Sequence, residues 1–152
     1  MQLEILNGKE VKKLVNQIKE QFGIQKLDLS YEFFKSSKDK IYLINKEIKE
    51  HNIKNYKINA MGLYFGKKEQ GGFRPSIEAS QILGPLATKA CEEIKEVQEW
   101  LEGYDIKHET TAKGFVIVKY GHDFLGSGCA KEGKILNYLP KERRLAKKED
   151  HL

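Results

Sequence analysis

Cysteine is nearly absent from this chain of 152 residues, which has only Cys91 and Cys129. The two lie far apart and match no paired-ligand spacing. They call for neither a disulfide framework nor a zinc knuckle, and buried free thiols in a reducing compartment are expected. The four histidines, His51, His108, His122 and His151, are scattered, none with a second ligand at a spacing suited to zinc. No metal and no cofactor are expected. Long apolar runs are missing as well: no window approaches the roughly 20 apolar residues of a membrane span. The start, MQLEILNGKEVKK, has no basic region followed by an apolar run. The expected setting is the cytoplasm, without a membrane partner. At this length one domain, or two small ones sharing an interface, can bury a core without staples.

Catalytic signatures are equally thin. GCAKEGK at 128–134 meets the glycine and lysine terms of a phosphate-binding loop, but Ile135 stands where Ser or Thr would hold Mg²⁺. The following KILNYLP also reads as a strand, where that loop needs a helix. GSG at 126–128 is too short for a dinucleotide fingerprint and reads as a tight bend in a barrel strand. His122 and Asp123 are neighbours, so on a strand they point to opposite faces, and no motif places a nucleophile beside them. No catalytic residue is assigned, and the chain is expected not to be an enzyme.

Arginine is the third scarcity. Of 27 basic residues only Arg74, Arg143 and Arg144 are arginines. Where a lysine-using chain keeps arginine, a planar fork is wanted for phosphate or carboxylate. The positive charge is also unevenly spread. Residues 1–76 hold 15 basic and 9 acidic residues (net +6), 77–112 hold 3 and 8 (net −5), and 113–152 hold 9 and 5 (net +4). Two basic blocks flanking an acidic one suit a polyanion partner, although Lys/Glu-rich surfaces also arise without one.

What is present reads as α+β. Leu3 and Ile5 suit a short strand, and Asn7 and Glu10 form a capping box opening a helix. Val11, Leu14, Val15 and Ile18 line one face of that helix, and Gly23 stops it. Leu27, Leu29, Tyr31 and Phe33 alternate, and with IYLIN after SSKDK they predict a hairpin. Residues 45–55 are polar with helical character, and Tyr56–Phe65 is a strand candidate. Ser76 caps a short helix through Ile77, Ala79, Ile82 and Leu83, which Gly84 and Pro85 end. A domain boundary is expected there, giving units 1–85 and 86–152. Ala87–Cys91 suits a short strand. An acidic helix over 92–102 turns Ile94, Val97, Trp100 and Leu101 inward, with Trp100 a core anchor, before Gly103. Phe115–Val118 and the glycines at 121, 126, 128 and 133 predict short strands with sharp turns, as in a small barrel.

Two stretches carry a resemblance. EWLEGYDI followed by GFVIVKYGHDFLGSGCAKEGKILNYLPKERRL, from Glu99 to Leu145, resembles a PUA domain. It is most like the PUA tails of the Nop/Sun family of RNA cytosine methyltransferases, which share a glycine-bounded strand and a closing N-x-x-P-K-x-R-R-like segment. DKIYLINKEI and INAMGLYFGKKEQGGFRPSIEASQIL resemble the pre-PUA domain of the small eukaryotic protein needed for large-subunit ribosome biogenesis. The resemblance implies a pre-PUA-like α/β unit followed by a PUA-type pseudobarrel in a non-catalytic RNA-binding protein of archaeal type. The implied partner is rRNA or its precursor, with tRNA another RNA of the same kind, and the implied role is in ribosome biogenesis or RNA modification. Carried over, Lys113, Lys119, Lys131, Lys141, Arg143 and Arg144 would face RNA. Lys67, Lys68 and Arg74 of the first basic block and the aromatic Tyr138 join them as candidates. Glu102-Gly103-Tyr104 stands where PUA domains carry a proline-glycine turn. The competing reading is a protein-interaction adaptor that docks its acidic helix 92–102 on an assembly factor or a separate RNA methyltransferase.

Overall fold

The computed structural model describes residues 3–45 and 62–146, which build two five-stranded sheets and three helices. The polar segment after Asn45, the first part of the Tyr56–Phe65 candidate, His51 and His151 lie outside the described residues.

The first sheet is an antiparallel meander of β1 (Leu3–Ile5), β2 (Tyr31–Ser36), β3 (Lys40–Asn45), β4 (Leu63–Glu69) and β5 (Gly72–Pro75). Helix α1 (Gly8–Phe22) follows β1. Its capping box forms as the sequence predicts: the Glu10 N–H donates to Asn7 Oδ1 at 2.8 Å, and the Asn7 N–H donates to Glu10 Oε1 at 3.1 Å. Gly23 ends it at φ +61°, a left-handed conformation that glycine adopts without steric cost. Leu14, Ile18 and Phe22 bury against Phe33, Ile41, Leu43, Phe65 and Phe73. The strand period of two sends Phe34, Tyr42 and Ile44 to the other face, where they cluster with Leu3 and Tyr64.

Helix α2 (Ile77–Leu83) leads out of β5, and Ser76 Oγ accepts from the Ala79 N–H at 3.0 Å. The second sheet has the order β6 (Cys91–Glu93), β8 (Gly114–Tyr120), β9 (Asp123–Lys131), β10 (Lys134–Asn137), β7 (Ile106–Lys107), with β6 parallel to β8 and the other pairs antiparallel. It curls around Trp100 of helix α3 (Val97–Leu101). Trp100 is fully buried, and its indole N–H donates to the Leu125 carbonyl at 3.0 Å. Gly128 permits that curl: a Cβ there would lie 2.4 Å from Ile135 and 2.8 Å from the Trp100 ring. The glycine-bend reading thus holds, and 128–134 is the end of β9, a turn and the first residue of β10. The two edges meet through side chains, His108 Nε2 lying 3.0 Å from Glu92 Oε1.

Several expectations are corrected. The hairpin strand starts at Tyr31 rather than Leu27; Leu27 and Leu29 pack on the first core from outside the strand. By contrast, the stop expected at Gly84 and Pro85 is found: α2 ends at Leu83, Gly84–Leu86 form a 3-10 turn, and a Cβ on Gly84 would lie 2.1 Å from the Phe124 ring. The strand expected over Ala87–Cys91 lies at Cys91–Glu93 instead. The helix expected over 92–102 shrinks to Val97–Leu101, since Glu92 and Glu93 are claimed by parallel pairing with Val118 and Lys119. Cys91 and Cys129 are free but half-buried rather than buried. Burial pushes the Cys91 thiol above its ordinary pKa against the pull of Lys119, which disfavours a reactive thiolate.

The halves are joined by more than the chain. Ser127 Oγ donates to the Pro75 carbonyl at 2.8 Å, and the Gly126 N–H donates to Ser80 Oγ at 2.9 Å, both buried. Ile117 of β8 belongs to the first core. The closing segment is fastened by Asn137. Its Nδ2 donates to the carbonyls of Trp100 at 2.8 Å and Tyr104 at 3.0 Å, while its Oδ1 accepts from the Leu139 N–H at 2.8 Å. Asn137→Ala, which strands these groups, is expected to lower stability by ~1–3 kcal/mol. Urea denaturation checks this, and Asn137→Asp should recover nothing, because its carboxylate would face the Trp100 and Tyr104 carbonyls with no proton to donate.

Candidate nucleic-acid interface

Antiparallel register sets three cations in a row. Lys40 on β3 lies opposite Lys67 on β4, and Lys67 lies opposite Arg74 on β5. Directly opposed residues share a face, about 5 Å apart from strand to strand. Like charges so placed repel, and Glu69, two residues along β4 on the same face, offsets part of this at 3.6 Å from Lys67 Nζ and 3.5 Å from Arg74 Nε.

The row ends at a groove of about 440 Å³ between the two sheets, lined by Lys40, Tyr64, Arg74, Tyr138, Arg143 and the start of α2, among others. Arg74 lies with Cζ 4.9 Å from the centre of the Tyr138 ring, joining β5 to the segment after β10. Tyr138 in turn meets Phe115 edge-on, with ring centres 5.6 Å apart. Also in the lining, Lys40 Nζ lies 5.9 Å from the Tyr64 ring. Burial pushes the Tyr64 phenol above its ordinary pKa, with the charge and hydrogen bonding of Arg74 pulling the other way, so the hydroxyl remains a neutral donor and acceptor near pH 7.

The predicted residues divide. Arg74, Tyr138 and Arg143 meet in the groove, and Lys67 extends it along the sheet. Arg143 Nη1 is 2.7 Å from Glu78 Oε1, but this pair is solvent-exposed, with side chains 47% and 36% accessible, and such pairs contribute little to stability. Arg144 does not belong with its neighbour. Its Nε donates to the Leu139 carbonyl at 3.0 Å, and its stem lies against Gly103, where a Cβ would be 2.5 Å from Arg144 Cδ. It is a fastener of the closing segment. Lys113 and Lys131 border a separate hollow, and Lys119 sits with Nζ 5.8 Å from the Phe124 ring. Lys68 lies opposite Phe73, and Lys141 is exposed on the 3-10 turn Lys141–Arg143; neither lines the groove. Lys40 and Tyr64 are additions. In the sequence Tyr64 fell within the Tyr56–Phe65 strand candidate, and nothing local marked Lys40, whose place depends on strand register.

A family model described as the Methyltransferase RsmF PUA domain matches residues 93–145. This segment is a PUA domain. It holds β7 to β10 and Trp100, and all the candidate residues from Lys113 onward; Lys67, Lys68 and Arg74 come from the sheet before it. Two relatives, each named ribosomal RNA small subunit methyltransferase F, from Vibrio vulnificus strains YJ016 and CMCP6, are both 31% identical over 88 residues. The match takes in 57% of this chain and 19% of each relative, so the chain spans about a fifth of their length. The groove is therefore built half from the PUA domain, through Tyr138 and Arg143, and half from the first sheet, through Lys40, Tyr64 and Arg74.

Among the described residues no helix is long and apolar enough to cross a membrane. No group of three or more His, Cys, Asp or Glu side chains is arranged to hold a metal ion among them.

Proposed function

We propose that the chain is a non-catalytic RNA-binding protein that acts on rRNA or its precursor as an accessory to ribosome assembly or rRNA modification, in the cytoplasm. The observation that carries this reading is the cross-strand row Lys40, Lys67 and Arg74 running into the Arg74–Tyr138 stack. A row of like charges gains nothing for the sheet, and it offers phosphate attraction that ends on a planar aromatic platform. The PUA match and the rRNA methyltransferase relatives support rRNA as the RNA. In this reading the pre-PUA-like unit 1–85 and the unit 86–152 bind as one, since the groove draws on both.

The adaptor reading loses its main support, because the acidic stretch 92–102 is largely not a helix and Glu92 is engaged by His108. Titration of the protein with a labelled rRNA hairpin at several salt concentrations tests the proposal. The logarithm of affinity is expected to fall linearly with the logarithm of salt, with a slope of about −2 to −4 for three to five phosphate contacts. Absent binding, or binding indifferent to salt, would overturn it.

A further inference from the structure

We propose that the groove between the two sheets is a pocket for one unpaired nucleotide displaced from an RNA helix, a deepening that rests on the RNA-binding reading above. A site for the backbone of a duplex would need only an open, charged surface. This groove instead has walls. Its volume of about 440 Å³ lies within the roughly 300–1,000 Å³ of small-ligand pockets, on the scale of a single nucleotide.

The lining matches the parts of a nucleotide. Arg74 lies over the Tyr138 ring, which Phe115 braces edge-on from behind, and a guanidinium over an aromatic ring offers a cationic face onto which a base can stack. Pro75, Ile77 and Leu139 give an apolar floor. Lys40 and Arg143 supply donors for the phosphates on either side. Arg143 is held by the exposed carboxylate of Glu78, which an RNA phosphate can replace, while Arg74 is paired with the half-buried Glu69. Tyr64, beside Arg74 in the lining, adds a neutral hydroxyl that orients the guanidinium by hydrogen bonding.

The test uses the full chain and two labelled RNAs, a fully paired hairpin and the same hairpin with one bulged adenosine. The bulged RNA is expected to bind about tenfold more tightly, the scale of one base–aromatic stack. Tyr138→Ala should abolish that preference. Arg74→Lys, which keeps the charge and removes the planar face, should weaken the bulged hairpin more than the paired one and so shrink the preference; thermal unfolding confirms that both variants are folded. Equal affinity for the two hairpins, or a preference that survives both substitutions, overturns the pocket and leaves RNA binding standing. Binding of neither hairpin overturns both. Displacement of the bulged RNA by an acidic peptide at equal charge concentration would assign the groove to a protein partner instead and overturn the nucleotide.

Discussion

Replacing Trp100 with alanine is expected to lower the stability of the chain by about 3–5 kcal/mol, the range for emptying a buried aromatic site. Small domains are stable by only about 5–15 kcal/mol, so the variant should be largely unfolded at modest urea concentrations. Three losses coincide. The second sheet curls around this side chain, so its removal takes packing from Ile94, Ile106, Val116, Val118 and Ile135, which share its cluster. The indole N–H no longer satisfies the Leu125 carbonyl. Gly128, kept free of a side chain beside the ring, leaves a gap that no neighbour fills. Trp100→Phe retains much of the volume but not the donor, and should fall between wild type and Trp100→Ala. Equilibrium urea unfolding followed by circular dichroism reads all three proteins; a Trp100→Ala midpoint equal to wild type would show that the sheet does not depend on this residue.

The second large effect is expected for the double substitution Arg74→Gln, Arg143→Gln. Each arginine should account for about one released counterion, so the log–log salt slope should become shallower by about 2. Affinity for an rRNA hairpin should drop by roughly ten- to a hundredfold at ~0.1 M salt. Arg144→Gln gives the contrast, because Arg144 is tied to the Leu139 carbonyl and to Gly103; it should reduce the melting temperature more than the salt slope. Filter binding at four salt concentrations separates the two outcomes. Equal slopes in wild type and the double variant would remove the groove from the RNA surface.

Much of the fold was legible because the deciding signals are local. The Asn7–Glu10 box, Gly23, the Ser76 cap and the inward Trp100 each depend on residues within one helix. What misled was also local. Glu92, Glu93, Glu96 and Glu99 have the spacing of a solvated helix face, yet Glu92 and Glu93 lie in a strand because β8, more than twenty residues later, pairs with them. Gly84 does end α2, but its contact with the Phe124 ring, forty residues later, is a packing reason that no local reading records.

The candidate site shows the same division. The scarcity of arginine singled out Arg74, Arg143 and Arg144 alike, and it could not separate Arg143, which lines the groove with Arg74, from Arg144. Adjacent positions point in different directions, and only the fold says that one meets solvent and Glu78 while the other meets a carbonyl. Lys40 was missed because its value lies in register with Lys67 and Arg74, which no single segment records.

The edges of the curled sheet have a consequence for solubility. β6 is three residues long and β7 two, and their ends are tied by Glu92 and His108 rather than by a backbone ladder. Exposed edges are templates on which other chains can add strands, and short, charged ones give such a chain almost no hydrogen-bonding length to grip. A sheet that cannot close completely is thereby kept from spreading by aggregation.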